Sequence, residues 1–249
     1  MTTFASRDVG RAGPLLRATG RLLDDVVVRA RVRPEDVVAE AAKRGLPVFG
    51  ADPHQRLASL RWCAPEALDP LARSYVTSNA LMAGVHGFVT NLGGVATLPV
   101  ALTADTVGTL TAMVRATSGV MGAYGFETET DQGAVQLRLG LLAGLGVTRL
   151  TLEGTQVLVS QLSARLLDRI GAQQVSALLS GQLSRRLAAD LVRRRLPRAV
   201  PVVGGAIGGG VNLAVVRAMG GRARVHYRAL LADWQRNQGI NPVRVCPTG

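Results

Sequence analysis

The sequence predicts an all-α protein, a multi-helix bundle with long, glycine-rich apolar helices. Apolar residues recur at helical spacing, and helix start and stop signals punctuate the chain at helix-length intervals. Period-2 patterns are nearly absent; the one candidate, Val26 to Val32, sits in a helical context. Composition agrees, with 47% hydrophobic residues but only 4% aromatic, 29 glycines and a mean hydropathy of +0.21. Such small apolar side chains suit close helix packing. A chain of 249 residues can bury a sizeable core in one large domain or two small ones.

Residues 9–33 read as a first helix, with Leu15, Leu16, Leu22 and Leu23 on its apolar side. Arg33-Pro34-Glu35-Asp36 opens a second, with Pro in the first turn and acids where the helix dipole favours them. Val37, Val38, Ala41 and Ala42 give it one apolar side, and Gly45 and Pro47 stop it. Residues 53–62 form a short helix or turn around Trp62, and Ala64-Pro65-Glu66 opens a long helix. No Asp, Glu, Lys or Arg occurs in the 31 residues from Ser74 to Ala104. Asn79, His86, Asn91, Gly93-Gly94 and Pro99 interrupt that run, so it reads as two helices meeting at residues 91–94, the second from about Leu98 to Tyr124 with Gly125 as its stop. Thr130 or Asp131 caps the next helix, which reaches about Gly144. Helices are expected over 149–170 and 172–196, divided near Gly171, and a last one from about Val202 to Asn237. The domain plan is an N-terminal helical extension (1–33), a helical domain (34–238) and an irregular tail (239–249).

The formal net charge is +12, and Lys43 is the only lysine. A charge of this size favours anionic partners. Cys63 and Cys246 make no disulfide framework and form no metal-like cluster with His54, His86 or His226. The charged N-terminus shows no secretion signal, so the expected location is cytoplasmic, or peripheral at the inner face of the cell membrane.

Three segments stand out in order. The first is Gly84-Val-His-Gly-Phe-Val-Thr-Asn-Leu-Gly-Gly94, carrying Gly93 and Gly94, followed by Leu98-Pro99 and Asp105. The second is Arg115 leading to Tyr124-Gly125-Phe126. The third is Val200-Pro201-Val-Val-Gly204, then Gly208, Asn212, Ala223 and Tyr227. The ordered set, over about residues 35–235, resembles the EcsC family of bacterial proteins. It departs from that pattern in the extra glycines of 204–210 and in a last helix whose only aromatics are Tyr227 and Trp234. The resemblance implies a helical, non-enzymatic module linked to transport or secretion at a membrane. It carries over no catalytic residue.

Gly204 to Gly210 lacks the Lys of a phosphate loop, and its context is helical, so close helix contact is the better account. Gly204/Gly208, Gly205/Gly209, Gly140/Gly144, Ala80/Gly84 and Ala83/Gly87 each share a helix face. The segments 74–104 and 199–216 are a buried core hairpin, a re-entrant or monotopic membrane hairpin, or a transmembrane hairpin. Arg185, Arg186, Arg193, Arg194, Arg195 and Arg198 form the densest basic cluster, either a solvated helix face or a site for lipid headgroups. Nucleic acid is disfavoured because no aromatic platform accompanies it. Asp105 would be costly to bury unpaired, and Arg138 or Arg217 is a candidate partner from a neighbouring helix. Asp105, His86 and Tyr124 would suggest catalysis only if they met within hydrogen-bond reach. No cofactor, metal or catalytic group is expected. The expected role is a peripheral membrane-associated regulatory or scaffolding module, with an anionic membrane surface and a membrane protein as candidate partners and self-association allowed by the glycine faces. The competing role is a helical carrier holding a lipid-like ligand between its helices.

Overall fold

The computed structural model describes residues 22–91, 98–147, 149–152, 155–158, 179–184, 186 and 201–240. Helix α1 covers 22–30 and buries Leu23, Val26, Val27 and Ala30, an i, i+3, i+4, i+7 set. It is shorter at its C-terminal end than the expected 33, because the chain must extend before Pro34. Helix α2 (Pro34–Lys43) has Pro34 at its start, Glu35 and Asp36 in its first turn, and Val37, Val38 and Ala41 buried. Gly45 follows in the left-handed region at φ +72°. Helix α3 (Pro53–Ser59) is capped by Asp52, whose carboxylate accepts from the Gln55 amide at 2.9 Å, and it runs into a 3₁₀ turn at Leu60–Trp62.

The two long helices that the uncharged run predicts are present as α4 (Pro65–Asn91) and α5 (Leu98–Ala123). Leu98 and Pro99 fall in the first turn of α5, while Gly93 and Gly94 lie outside the described residues. Gly125 ends α5 at φ +79°, and a Cβ there would also meet the Arg61 backbone nitrogen at 2.9 Å. Helix α6 (Asp131–Gly144) is capped by Thr130, whose hydroxyl accepts from the Gly133 amide at 2.9 Å.

The fold class is all-α as predicted, with one short hairpin among the described residues where a helix is expected. Helix is predicted over 149–170, but β1 (Arg149–Leu152) and β2 (Thr155–Leu158) pair antiparallel, with Leu150 opposite Val157 and Leu152 opposite Thr155. The segment is rich in Thr, Leu and Val, and Glu153-Gly154 supplies a two-residue, Gly-containing connection between its halves. Helix α7 covers 179–184, with residue 186 also helical, and α8 (Pro201–Asn237) is the longest element, with Pro201 at its start.

Helix α8 is the axis of the bundle and packs on α4, α5 and α6. It runs antiparallel to α4. Gly84 of α4 lies against Leu213, Val76 against Gly220, and Asp69 against Arg224 and Arg228, so the contacts ascend α8 as they descend α4. The core joins Leu68 and Leu71 of α4, Met121 of α5, Leu137, Leu139 and Leu142 of α6, and Tyr227 of α8, all fully buried. Each such side chain contributes about 1.5–3 kcal/mol of burial. At the far end Gln235 donates its amide to the carbonyls of Arg61 (2.8 Å) and Cys63 (2.9 Å), tying α8 to the 3₁₀ turn.

Candidate functional site

Glycine lets α4 and α8 meet backbone to backbone. A Cβ on Gly209 would lie 2.7 Å from the Gly84 carbonyl, and one on Gly87 would lie 3.1 Å from the Gly208 carbonyl and 2.4 Å from the Asn212 amide. Neither backbone can yield to such contacts. The other predicted glycine pair serves α6: Gly140 receives the Tyr227 hydroxyl and Gly144 receives Met219. Gly204 falls within α8, Gly208 is buried at the α4 contact, and Pro201 opens the helix.

The close approach brings a polar bridge into the interior. Asn212, buried on α8, donates its amide to Asp105 Oδ1 on α5 at 2.6 Å. The Thr90 hydroxyl of α4 stands 3.4 Å from the same oxygen. The ring of His86 packs on Gly108, one turn along α5. Among the described contacts, the donor that reaches Asp105 from α8 is this amide, not the expected Arg138. Arg138 is engaged elsewhere, by Asp24 at 3.1 Å and Ser180 at 2.8 Å, linking α6 to α1 and α7. Tyr124 lies nineteen residues from Asp105, roughly 28 Å along α5, so the structure does not bring Asp105, His86 and Tyr124 together.

Tyr124 instead belongs to a second cluster that the sequence reading missed. Its buried hydroxyl donates to Asp69 Oδ1 at 2.5 Å. The other Asp69 oxygen faces Arg228 at 2.9 Å, Arg224 at 3.3 Å and Arg73 at 3.8 Å, and Arg228 also pairs with Glu66. Burial, then the hydrogen bond to Asp69, pushes the Tyr124 phenol far above its ordinary value. Asp69 stands one turn after Pro65-Glu66 and shows no local motif; only the tertiary pairing with α8 singles it out.

The surface of α4 is unusual. Leu81, Met82, Val85, Phe88 and Val89 are exposed by 59%, 66%, 58%, 44% and 59%. Their i, i+1, i+4, i+7, i+8 spacing places all five on one helix face. The opposite side of the same turns, Ala80, Ala83, Gly84 and Gly87, is buried against the bundle. The exposed face therefore has no charged residue within it or beside it in the sequence from Ser74 to Ala104. Scattered exposed apolar residues are normal, but a contiguous row of five is a mark of an interaction surface. No helix among the described residues is long and apolar enough to cross a membrane.

Of the predicted basic cluster, Arg186 is helical and exposed; Arg185, Arg193, Arg194, Arg195 and Arg198 lie outside the described residues. At the other end of α4, His54, Glu127 and Glu129 each bring one ligand atom within 4.8 Å of the others. His54 Nδ1, in the first turn of α3, and Glu127 Oε1, half-buried in the segment before α6, are 2.7 Å apart and contact each other directly. No family model, no curated protein and no solved structure matches this chain.

Proposed function

We propose that this protein is a peripheral membrane module, a non-enzymatic regulatory or scaffolding protein that docks on the cytoplasmic face of the cell membrane. The observation that carries the reading is the uncovered apolar row Leu81, Met82, Val85, Phe88 and Val89 on α4, in a segment free of charge, on a chain with a net charge of +12. An amphipathic helix lying in the plane of a bilayer buries such a face by about 5–10 Å at the headgroup–acyl boundary. Each large apolar side chain moved out of water contributes about 1.5–3 kcal/mol when fully buried. The net positive charge adds attraction to acidic headgroups. A second copy of the chain is a poorer occupant, because two molecules of charge +12 repel one another. The resemblance of the ordered motifs to the EcsC pattern, including Asp105, Tyr124-Gly125 and Asn212, agrees with the same reading and with a link to transport or secretion.

Flotation with liposomes tests it. The protein is expected to rise with vesicles containing anionic lipid, and Val85→Glu is expected to stay behind while melting at nearly the same temperature, since Val85 is exposed. A wild-type protein that stays in solution with every vesicle composition contradicts the reading.

A further inference from the structure

Resting on that membrane reading, we propose that α4 and α8 lie side by side on the bilayer, with the apolar row of α4 at the acyl boundary and an arginine row of α8, Arg217, Arg224 and Arg228, on the phosphates of anionic lipids. The three arginines stand at i, i+7 and i+11, within about 40° of one another around the helix. Arg224 and Arg228 fix where that face looks: both reach Asp69 on α4, at 3.3 Å and 2.9 Å. Arg217 therefore faces the α4 side as well. Its level along α4 follows from the contacts that bracket it, Leu213 on Gly84 and Gly220 on Val76. It stands beside the stretch where the apolar row begins at Leu81.

Charge completes the argument. Arg217 is exposed and has no ion pair among the described residues. Arg73, Arg224 and Arg228 pair with Asp69, and Arg228 also with Glu66, so among the described residues three positive charges meet two negative ones and Arg217 adds a further positive charge on the same helix face. No Asp or Glu occurs on α8 from Pro201 to Ala232, nor on α4 after Asp69. Gly210, seven residues before Arg217 and on the same face of α8, has nothing within 4 Å of a Cβ position, so that face is open there. At the level of Arg217 the arrangement is an apolar strip edged by a cation with no acid on α4 beside it, which matches the order of an anionic bilayer from acyl chain to phosphate.

The test compares Arg217→Glu, Arg217→Lys and Val85→Glu with the wild type in binding to vesicles of neutral lipid with and without phosphatidylserine. Thermal melts confirm that each variant is folded. Reversal of one charge is expected to weaken binding to the anionic vesicles roughly tenfold and to flatten its salt dependence, with Arg217→Lys close to wild type. Binding to neutral vesicles is expected to be equal for Arg217→Glu and wild type. Wild-type affinity of Arg217→Glu for anionic vesicles, alongside loss of binding by Val85→Glu, overturns the arginine row and leaves the membrane reading standing. Failure of the wild type on all vesicles overturns both.

Discussion

Asn212 of α8 donates its side-chain amide to the Asp105 carboxylate of α5 at 2.6 Å, with both residues buried. The pair places a side-chain amide donor on a carboxylate inside the bundle. Asn212→Leu deprives that carboxylate of a donor and is expected to cost about 1–3 kcal/mol in urea unfolding. Asn212→Asp is expected to cost more at neutral pH, because two carboxylates then face each other, and to recover as pH falls and one of them takes a proton. Equal costs for the two variants would show that the donor is not what matters at this position.

The glycines separate into two kinds. Gly209→Ala puts a methyl 2.7 Å from the Gly84 carbonyl and is expected to destabilise by about 1–3 kcal/mol. Gly210→Ala and Gly221→Ala meet nothing within 4 Å and are expected to stabilise by about 0.5–1 kcal/mol each, since alanine is the better helix former. Chemical denaturation of the three single variants reads the signs directly.

The long-helix plan was legible in the sequence because its signals are local. Pro65-Glu66, Leu98-Pro99, Gly125 and Thr130 each act through backbone chemistry within a turn of their own position. The glycine faces were legible for the same reason, as a four-residue spacing. Three features were not. The hairpin at 149–158 was hidden by Leu and Val that suit either state, and only the Glu153-Gly154 connection marks it. The Asp69 cluster joins residues more than 150 positions apart, as the Asp69–Arg228 separation of 159 shows, so no spacing rule reaches it. Asp105 called for a partner, but a buried carboxylate in sequence does not say whether an arginine or an amide will meet it.

Asp69 holds Tyr124 and three guanidiniums at once. Tyr124→Phe removes one hydrogen bond and leaves the ion pairs, an expected loss of about 1–2 kcal/mol. Asp69→Ala removes the carboxylate shared by Arg224, Arg228 and the Tyr124 hydroxyl, leaving Arg228 only Glu66, and is expected to cost more than Tyr124→Phe, about 2–3 kcal/mol. A thermal melt in which the two variants fall together would mean that the arginines add nothing to the α4–α8 contact.

His226 sits on α8 with its ring edge-on to Tyr227 at 5.1 Å and no hydrogen-bond partner for Nε2. Burial pulls its pKa down to about 4 from 6.5. Between those values the unfolded chain binds the proton more readily than the folded one, so stability is full above about pH 6.5 and declines as pH falls toward 4. The loss is expected to be no more than about 3 kcal/mol. Melting curves of His226→Leu and wild type across that range isolate it, because the carboxylates contribute equally to both. Parallel curves would contradict a half-buried His226 that stays neutral with its Nε2 shielded.

The α4 face can be watched at the bilayer directly. A polarity-sensitive fluorophore is attached through a cysteine at position 85, in a chain whose Cys63 and Cys246 have been replaced, and a control carries it at position 28, where Val28 is 58% exposed on α1. On addition of anionic vesicles the probe at 85 is predicted to shift to the blue and resist aqueous quenchers, while the probe at 28 stays wet. Vesicles that leave both probes unchanged, or move both alike, would contradict docking through α4.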